Sequence, residues 1–257
     1  MSDNIFQQEG EKIDPILAGR LRIIQRERGY RFSIDALLLS HFVKLQAGDD
    51  LIELGTGSGI VAVILAQRPG LGRVLGIEIQ AGLVAIARRN VSLNGLTGRI
   101  EISRGDVRSP ESLCLPQSFS AAVFNPPYRR LHTGRINPDS EKAAARHEVF
   151  GTVENFISAA AYALRPGGRM YAIYPSTRMA ELIVRMRSFR IEPKRLRLVY
   201  SRPGAAAVFV LVEGSKGGGE GLDVLPPLFI YKARGEYTAE MNEIFRNLAS
   251  FESPDAG

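Results

Sequence analysis

Residues 125–128 read Asn-Pro-Pro-Tyr and follow directly on the apolar run Phe119–Phe124. Two adjacent prolines fix two φ angles and remove two backbone donors. The residue before each proline is pushed out of the helical region. The product is a stiff, extended turn at a strand end, which holds the Asn125 amide, the Pro126 carbonyl and the Tyr128 ring in fixed relation. Such a turn can receive a planar group that carries an amino group, with two acceptors for its N–H bonds and an aromatic face for its plane. By itself it reads equally as an ordinary proline turn, so its surroundings decide.

A second turn, Glu53-Leu-Gly55-Thr56-Gly57-Ser58-Gly59, stands between Leu51–Leu54 and the apolar stretch Ile60–Arg68. Glycines let a backbone approach a ligand closely, since no Cβ intervenes. The Gly-x-Gly-x-Gly spacing is not the Gly-x-Gly-x-x-Gly of dinucleotide folds, so a pyrophosphate is not the expected guest. Glu78 ends the next strand-like run, where a carboxylate can take both hydroxyls of a ribose. Asp106, in Gly105-Asp106-Val107, follows a third run and can accept from an adenine amino group. Glu53 can face a cation such as a sulfonium. Each has a plainer reading: a loop turn, a surface acid, a helix N-cap for Asp106. Together they fall at successive strand ends, where open α/β sheets bind ligands, with Asn-Pro-Pro-Tyr at the fourth.

The elements that must carry these residues alternate. Ser33 is a good N-cap for a helix through Ala36–Phe42. Strands are expected at Leu51–Leu54, Arg73–Ile79, Arg99–Ser103, Phe119–Phe124, Arg169–Tyr174, Leu196–Tyr200 and Ala206–Val212. The last is almost wholly apolar and should be central. Helices are expected at Ile60–Arg68, Ala81–Leu93, Val153–Leu164, Met179–Phe189 and Thr238–Leu248. Asn94-Gly95 is a helix stop. Near the N-terminus, Arg26–Gly29 reads as a turn from which Tyr30–Phe32 pairs back on Leu21–Ile24. Residues 129–150 read as a long polar loop with a short helix. The alternation gives an α/β class with a mostly parallel sheet. One domain over 1–257 is expected, with 1–45 an N-terminal extension and helix packed on the core.

Composition narrows the setting. With 257 residues and 45% hydrophobic content, the chain can bury a real core. It has no apolar run long enough to span a membrane and no secretory signal pattern. One cysteine, Cys114, and three histidines without metal spacing fit a reducing, cytoplasmic, metal-free protein. The net charge of +6 matters through clustering. Arg20, Arg22, Arg26, Arg28 and Arg31 form one group. Arg129, Arg130 and Arg135 follow the proline turn. Arg185, Arg187, Arg190, Lys194, Arg195 and Arg197 form a third. Charge runs are usually solvated faces, but the second abuts the candidate site, where a phosphate backbone could lie.

These motifs resemble a class I S-adenosylmethionine-dependent methyltransferase. Glu-Leu-Gly-Thr-Gly-Ser-Gly is similar to the first motif of that superfamily, Glu78 to the acid of its second, Gly105-Asp106-Val107 to its third and Asn-Pro-Pro-Tyr to its fourth. Leu164-Arg-Pro-Gly-Gly168 resembles the turn before its fifth strand. The flanks, Gly29–Leu39, Ala145–Glu148, Glu213–Gly218 and Pro226–Tyr231, resemble the tRNA1(Val) adenine-37 N6-methyltransferase family. The resemblance implies a Rossmann-like, doubly wound sheet of seven strands, mostly parallel with an antiparallel last strand. It implies S-adenosylmethionine as cofactor, held by Phe32, Asp35, Glu53, Gly55, Thr56, Gly57, Gly59, Glu78, Asp106, Val107 and Asn125. It implies tRNA as partner, met by Pro127, Tyr128, Arg129, Arg130 and Arg135. Asn125, Pro126 and Tyr128 would carry the chemistry at an adenine N6. His147 and Glu148 are not needed as bases, since the methyl carbon is already activated.

The alternatives are a glutamine N5-methyltransferase acting on a protein such as a release factor, methylation of a DNA adenine, and a nucleotide- or RNA-binding module without catalysis. The first usually carries a helical N-terminal domain, for which about 45 residues are too few. The last should lack Asn125 or the glycine turn, and both are present.

Overall fold

In the computed structural model, residues 6–27, 34–126, 151–233 and 235–250 are described. The chain opens with an antiparallel hairpin, β1 (Glu11–Ile16) and β2 (Leu21–Arg26). Its turn lies at residues 17–20, where Leu17, Ala18 and Gly19 all have positive φ. The expected turn at Arg26–Gly29 begins at the end of β2, and Arg28, Gly29 and the Tyr30–Phe32 segment expected to pair back lie outside the described residues. Leu17 and Ala18 are not residues that announce a left-handed turn, and no Asn-Gly or Asp-Gly pair marks it.

Helix α1 (Ile34–Phe42) leads to β3 (Leu51–Leu54), α2 (Ile60–Leu65), β4 (Val74–Glu78), α3 (Ala81–Leu93), β5 (Ile100–Arg104) and β6 (Phe119–Phe124). Then follow α4 (Val153–Ala163), β7 (Leu164–Pro175), α5 (Met179–Ser188), β8 (Ile191–Tyr200) and β9 (Ala207–Lys216). Two short strands, β10 (Asp223–Val224) and β11 (Leu228–Phe229), a small β12–β13 ribbon (Tyr231–Ala233, Glu236–Tyr237) and α6 (Ala239–Ser250) complete it.

The seven long strands lie in the order β8-β9-β7-β6-β3-β4-β5. β9 runs antiparallel to both neighbours; every other adjacent pair of the seven is parallel. β10 and β11 extend the sheet beside β8. β8 begins earlier than expected and takes in Pro193, which a bulge there accommodates. The glycine-proline turn at 165–168 is a loop-out of β7: Phe119 faces Leu164 while Ala121 faces Arg169.

Period-two alternation sorts the strands onto two faces. Leu51, Ala121, Val123, Tyr171 and Ile173 pack under α1, α2, α3 and α6. Ile52, Leu54, Ala122, Phe124, Met170 and Ala172 pack under α4 and α5. The sheet is therefore doubly wound, with helices on both faces. Arg68 secures the outer layer: its guanidinium is buried and donates to the carbonyls of Val43 (2.5 Å) and Ser40 (2.6 Å) at the end of α1.

Candidate active site

The parallel register brings the motifs to one level. Leu54 lies beside Ile77 on one side and Phe124 on the other. The next residues, Gly55, Glu78 and Asn125, therefore leave the sheet together at its carboxyl edge. Glu78 pairs with Arg104, which brings Gly105 and Asp106 to the same edge. The chain order reverses between β3 and β6, the switch point where open sheets bind ligands.

Gly55, Gly57 and Gly59 have φ of 71°, 59° and 83°, so the turn requires residues that accept the left-handed region. Two of these glycines also serve internal packing. A Cβ at Gly55 would stand 2.9 Å from Cε1 of Phe156, and one at Gly59 would stand 3.3 Å from the Cβ of Ala87. Phe156, on α4, also meets the Phe124 ring at 5.6 Å. It is thus a wedge beneath both turns.

Glu53 and Glu78 hold the turn from inside. Glu53 is 3% exposed, and its Oε2 accepts from the Thr56 hydroxyl (2.6 Å) and the Ala62 N–H (2.8 Å). Burial pushes its carboxyl up to about 8; the bonds from Thr56 and Ala62 oppose that and Glu78 adds to it. Glu78 is equally enclosed and divides its oxygens: Oε2 accepts from the Gly57 N–H (3.0 Å), Oε1 from the Gln80 N–H (2.9 Å). Burial raises its carboxyl too, against the backbone bonds. Thr56 is buried and its N–H donates to the Ile77 carbonyl, which ties the turn to β4.

Asp106 lies in a more open place. Its carboxylate accepts from the backbone N–H of Arg108 and from the Arg108 guanidinium, and those hydrogen bonds hold it below the usual carboxylate range. It caps its own turn, and Arg108 shares whatever else it binds. Val107 is buried against α4. Asn125 is half-buried and Pro126 buried at the end of β6. Asp35 is buried in the first turn of α1 and accepts from the Ala36 N–H. Phe32, Pro127, Tyr128, Arg129, Arg130, Arg135, His147 and Glu148 lie outside the described residues.

Five of the six residues of the third basic group have partners within the chain. Arg185 pairs with Glu154, Arg187 with Glu192, Arg195 with Glu213 and Arg197 with Glu240. Lys194 donates to the carbonyls of Gly219 and Glu220. Arg20, Arg22 and Arg26 sit on the hairpin; Arg28 and Arg31 are outside the described residues. Cys114 is half-buried with its thiol pushed up by burial, which suits a packing residue. Among the described residues no group of acidic, histidine and cysteine side chains could hold a metal, and no helix is long and apolar enough to cross a membrane.

Two residues were not anticipated. Asn90 is wholly buried in α3, and its amide donates to the Ser58 carbonyl in the glycine turn (2.8 Å). Phe156 is the other. An asparagine inside a helix is a poor helix former, and that was the available signal for Asn90.

A family model described as methyltransferase small domain matches residues 34–188. The chain belongs to that family, and its fold is that of an S-adenosylmethionine-dependent methyltransferase. It is 33% identical over 236 residues to the tRNA1(Val) (adenine(37)-N6)-methyltransferase of Porphyromonas gingivalis, covering 86% of this chain and 89% of that protein. A protein of the same description from Bacteroides thetaiotaomicron is 27% identical, covering 82% of this chain and 87% of its own. Among solved structures, an Agrobacterium tumefaciens protein described as a predicted O-methyltransferase is similar at a TM-score of 0.68 and 25% identity, covering 84% of this chain and 96% of that one.

Proposed function

We propose that the protein transfers a methyl group from S-adenosylmethionine to the exocyclic N6 of an adenine in tRNA, at position 37 of the anticodon loop. The observation that carries this reading is the register that sets the Asn125 turn beside the glycine turn at the switch point of the sheet. The relatives named for that reaction, matched over most of their length, supply the substrate.

The residues fit the donor. The Glu78 carboxylate stands at the strand end beside the turn, held by the Gly57 and Gln80 N–H groups, where it can meet the ribose hydroxyls. Asp106 can accept from the adenine amino group beside Arg108. Asp35, Phe32, Val107 and the glycine turn would complete the enclosure. S-adenosylmethionine supplies a methyl carbon already activated by its sulfonium, so the chain needs no nucleophile of its own.

The chain's task is the acceptor nitrogen, whose lone pair is delocalised into the ring. Asn125 Oδ1 and the Pro126 carbonyl each accept one N6–H and favour a tetrahedral nitrogen with its lone pair aimed outward. A neutral amide does this without acting as a base. Two acceptors match an amino group, with two N–H bonds, better than a hydroxyl with one. That favours nitrogen over the oxygen named for the Agrobacterium protein. Tyr128 stacks on the base, a contact worth ~1–3 kcal/mol in single-strand binders. An unpaired loop base enters such a pocket at least cost. Arg129, Arg130 and Arg135 hold flanking phosphates, and tRNA as partner places the protein in the cytoplasm.

The test is transfer of labelled methyl from S-adenosylmethionine to total tRNA or cell protein, followed by digestion and identification of the labelled residue. N6-methyladenosine is expected. Asn125→Ala should keep donor affinity and lose transfer by on the order of 10²–10³-fold, as when one transition-state hydrogen bond is removed. Label on a protein glutamine, or unchanged transfer by Asn125→Ala, overturns the reading.

A further inference from the structure

The outer edge of β2 is capped by side chains. In the β1–β2 register Arg22 lies opposite Pro15, which has no N–H to offer. Arg22 and Ile24 share one edge of the strand, facing α3. Asn94 accepts from the Arg22 N–H (3.0 Å) and donates to the Arg22 carbonyl (2.8 Å). Asn90 accepts from the Ile24 N–H (2.6 Å) and donates to the Ile24 carbonyl (3.2 Å). Four helix residues rise about 6 Å and two strand residues about 6.7 Å, so asparagines one turn apart match alternate strand positions. Each amide offers the same donor and acceptor as a backbone unit, and α3 thereby stands in for a third strand.

Asn90 has a second N–H, and that one goes to the Ser58 carbonyl. One buried amide therefore joins the hairpin to the glycine turn. Further ties fix the hairpin on the same helix. Arg89 donates to both Glu11 oxygens at 2.6 Å, and the Arg26 guanidinium lies against Gly82 in the first turn of α3.

We propose that the N-terminal hairpin is a splint for the donor-binding turn, and that Asn90 is the positioning residue that transmits its hold. The inference rests on the donor assignment above only for what the turn binds. While β2 is docked, Asn90 is aimed from two sides and Ser58 is held, so the turn that carries Gly57 toward Glu78 keeps its shape. When the hairpin loosens, the Asn90 amide loses two of its three partners and the turn gains freedom. Asn94 touches the hairpin at Arg22 and the Asn90 backbone carbonyl (2.8 Å) but makes no described bond to the glycine turn, so it tests the transmission without touching the turn.

The experiment measures S-adenosylmethionine affinity by calorimetry, kcat and donor KM with tRNA, and hydrogen exchange of the Gly57 and Gly59 amides. Asn90→Ala should weaken donor affinity about tenfold, in line with one buried hydrogen bond. It should raise donor KM in step, leave kcat within about twofold, and speed exchange in the turn. Asn94→Ala should do the same in smaller measure, about threefold. Unchanged turn exchange and donor affinity in Asn94→Ala overturn the splint, and that variant decides the matter if Asn90→Ala does not fold. A loss of kcat with donor KM unchanged also overturns it. A wild type that fails to bind S-adenosylmethionine refutes the donor assignment instead, and the exchange measurement still tests the splint.

Discussion

Glu53→Gln separates two jobs that a carboxylate beside the glycine turn could have. The glutamine carbonyl can still accept from Thr56 and Ala62, and it cannot ionise. The wild-type carboxyl is raised to about 8, chiefly by burial. For such an acid the folded state keeps its proton between the unfolded value and the folded one, where the unfolded chain has released it. The stabilisation is full below about pH 4.5 and is lost as pH rises to about 8. The loss runs at about 1.4 kcal/mol per pH unit within that window. From about pH 5 to about pH 8 the glutamine variant should therefore gain on the order of 4 kcal/mol relative to wild type. Near pH 5 it should be equal or slightly weaker, since its amide adds donors to an enclosed site. Urea unfolding of both proteins across that range measures the gap. Parallel pH profiles would refute the reasoning. Donor binding adds a second reading: as an anchor of the turn, Glu53→Gln leaves S-adenosylmethionine affinity within about threefold, whereas a counter-charge to the sulfonium would lose far more.

Two further substitutions probe the same frame. Among the described residues the buried Ser58 hydroxyl has no hydrogen-bond partner, so Ser58→Ala should raise stability by about 1 kcal/mol in denaturant melts; a loss of that size would show that the hydroxyl has a partner when the protein is in solution. Arg195→Ala removes an ion pair to Glu213, a bond to the Phe42 carbonyl and a guanidinium over the Phe42 ring, and should cost about 2–3 kcal/mol while tRNA affinity stays unchanged. A drop in tRNA affinity at constant salt would return the third basic group to the substrate surface.

The parts legible in the sequence were those written in local chemistry. Glycines at 55, 57 and 59 announced a turn that lets the backbone approach a ligand, and the alternation of strand-like and helix-like segments announced a mostly parallel sheet. The strand-end acids were found for the same reason. Their use was less legible. Glu53 was read as facing a ligand; its described hydrogen bonds, from Thr56 and from Ala62 nine positions on, serve its own loop, across a turn whose path the sequence does not state. The hairpin turn at Leu17–Arg20 was missed because tertiary docking on α3, not turn composition, fixes it. The third basic group looked like a surface from its charges alone; its acids, Glu154, Glu213 and Glu240, are remote in sequence and adjacent only in the fold.

The place of β9 has a consequence for how the molecule is made. β8 precedes β9 in the chain, but among the described long strands its one neighbour is β9, and β7 also waits for β9 on that side. Until residue 216 is available, two strand edges stand open with unpaired backbone groups, separated by the width of one missing strand. Antiparallel insertion then closes both in one event, and the register of Leu198 and Ile173 with Val210 and Leu211 is fixed together. Open edges of this kind invite pairing with other chains. β9, the last long strand, is thus the keystone of the sheet's assembly, and a polar substitution at Val210 should show itself first as aggregation during synthesis rather than as a slower enzyme.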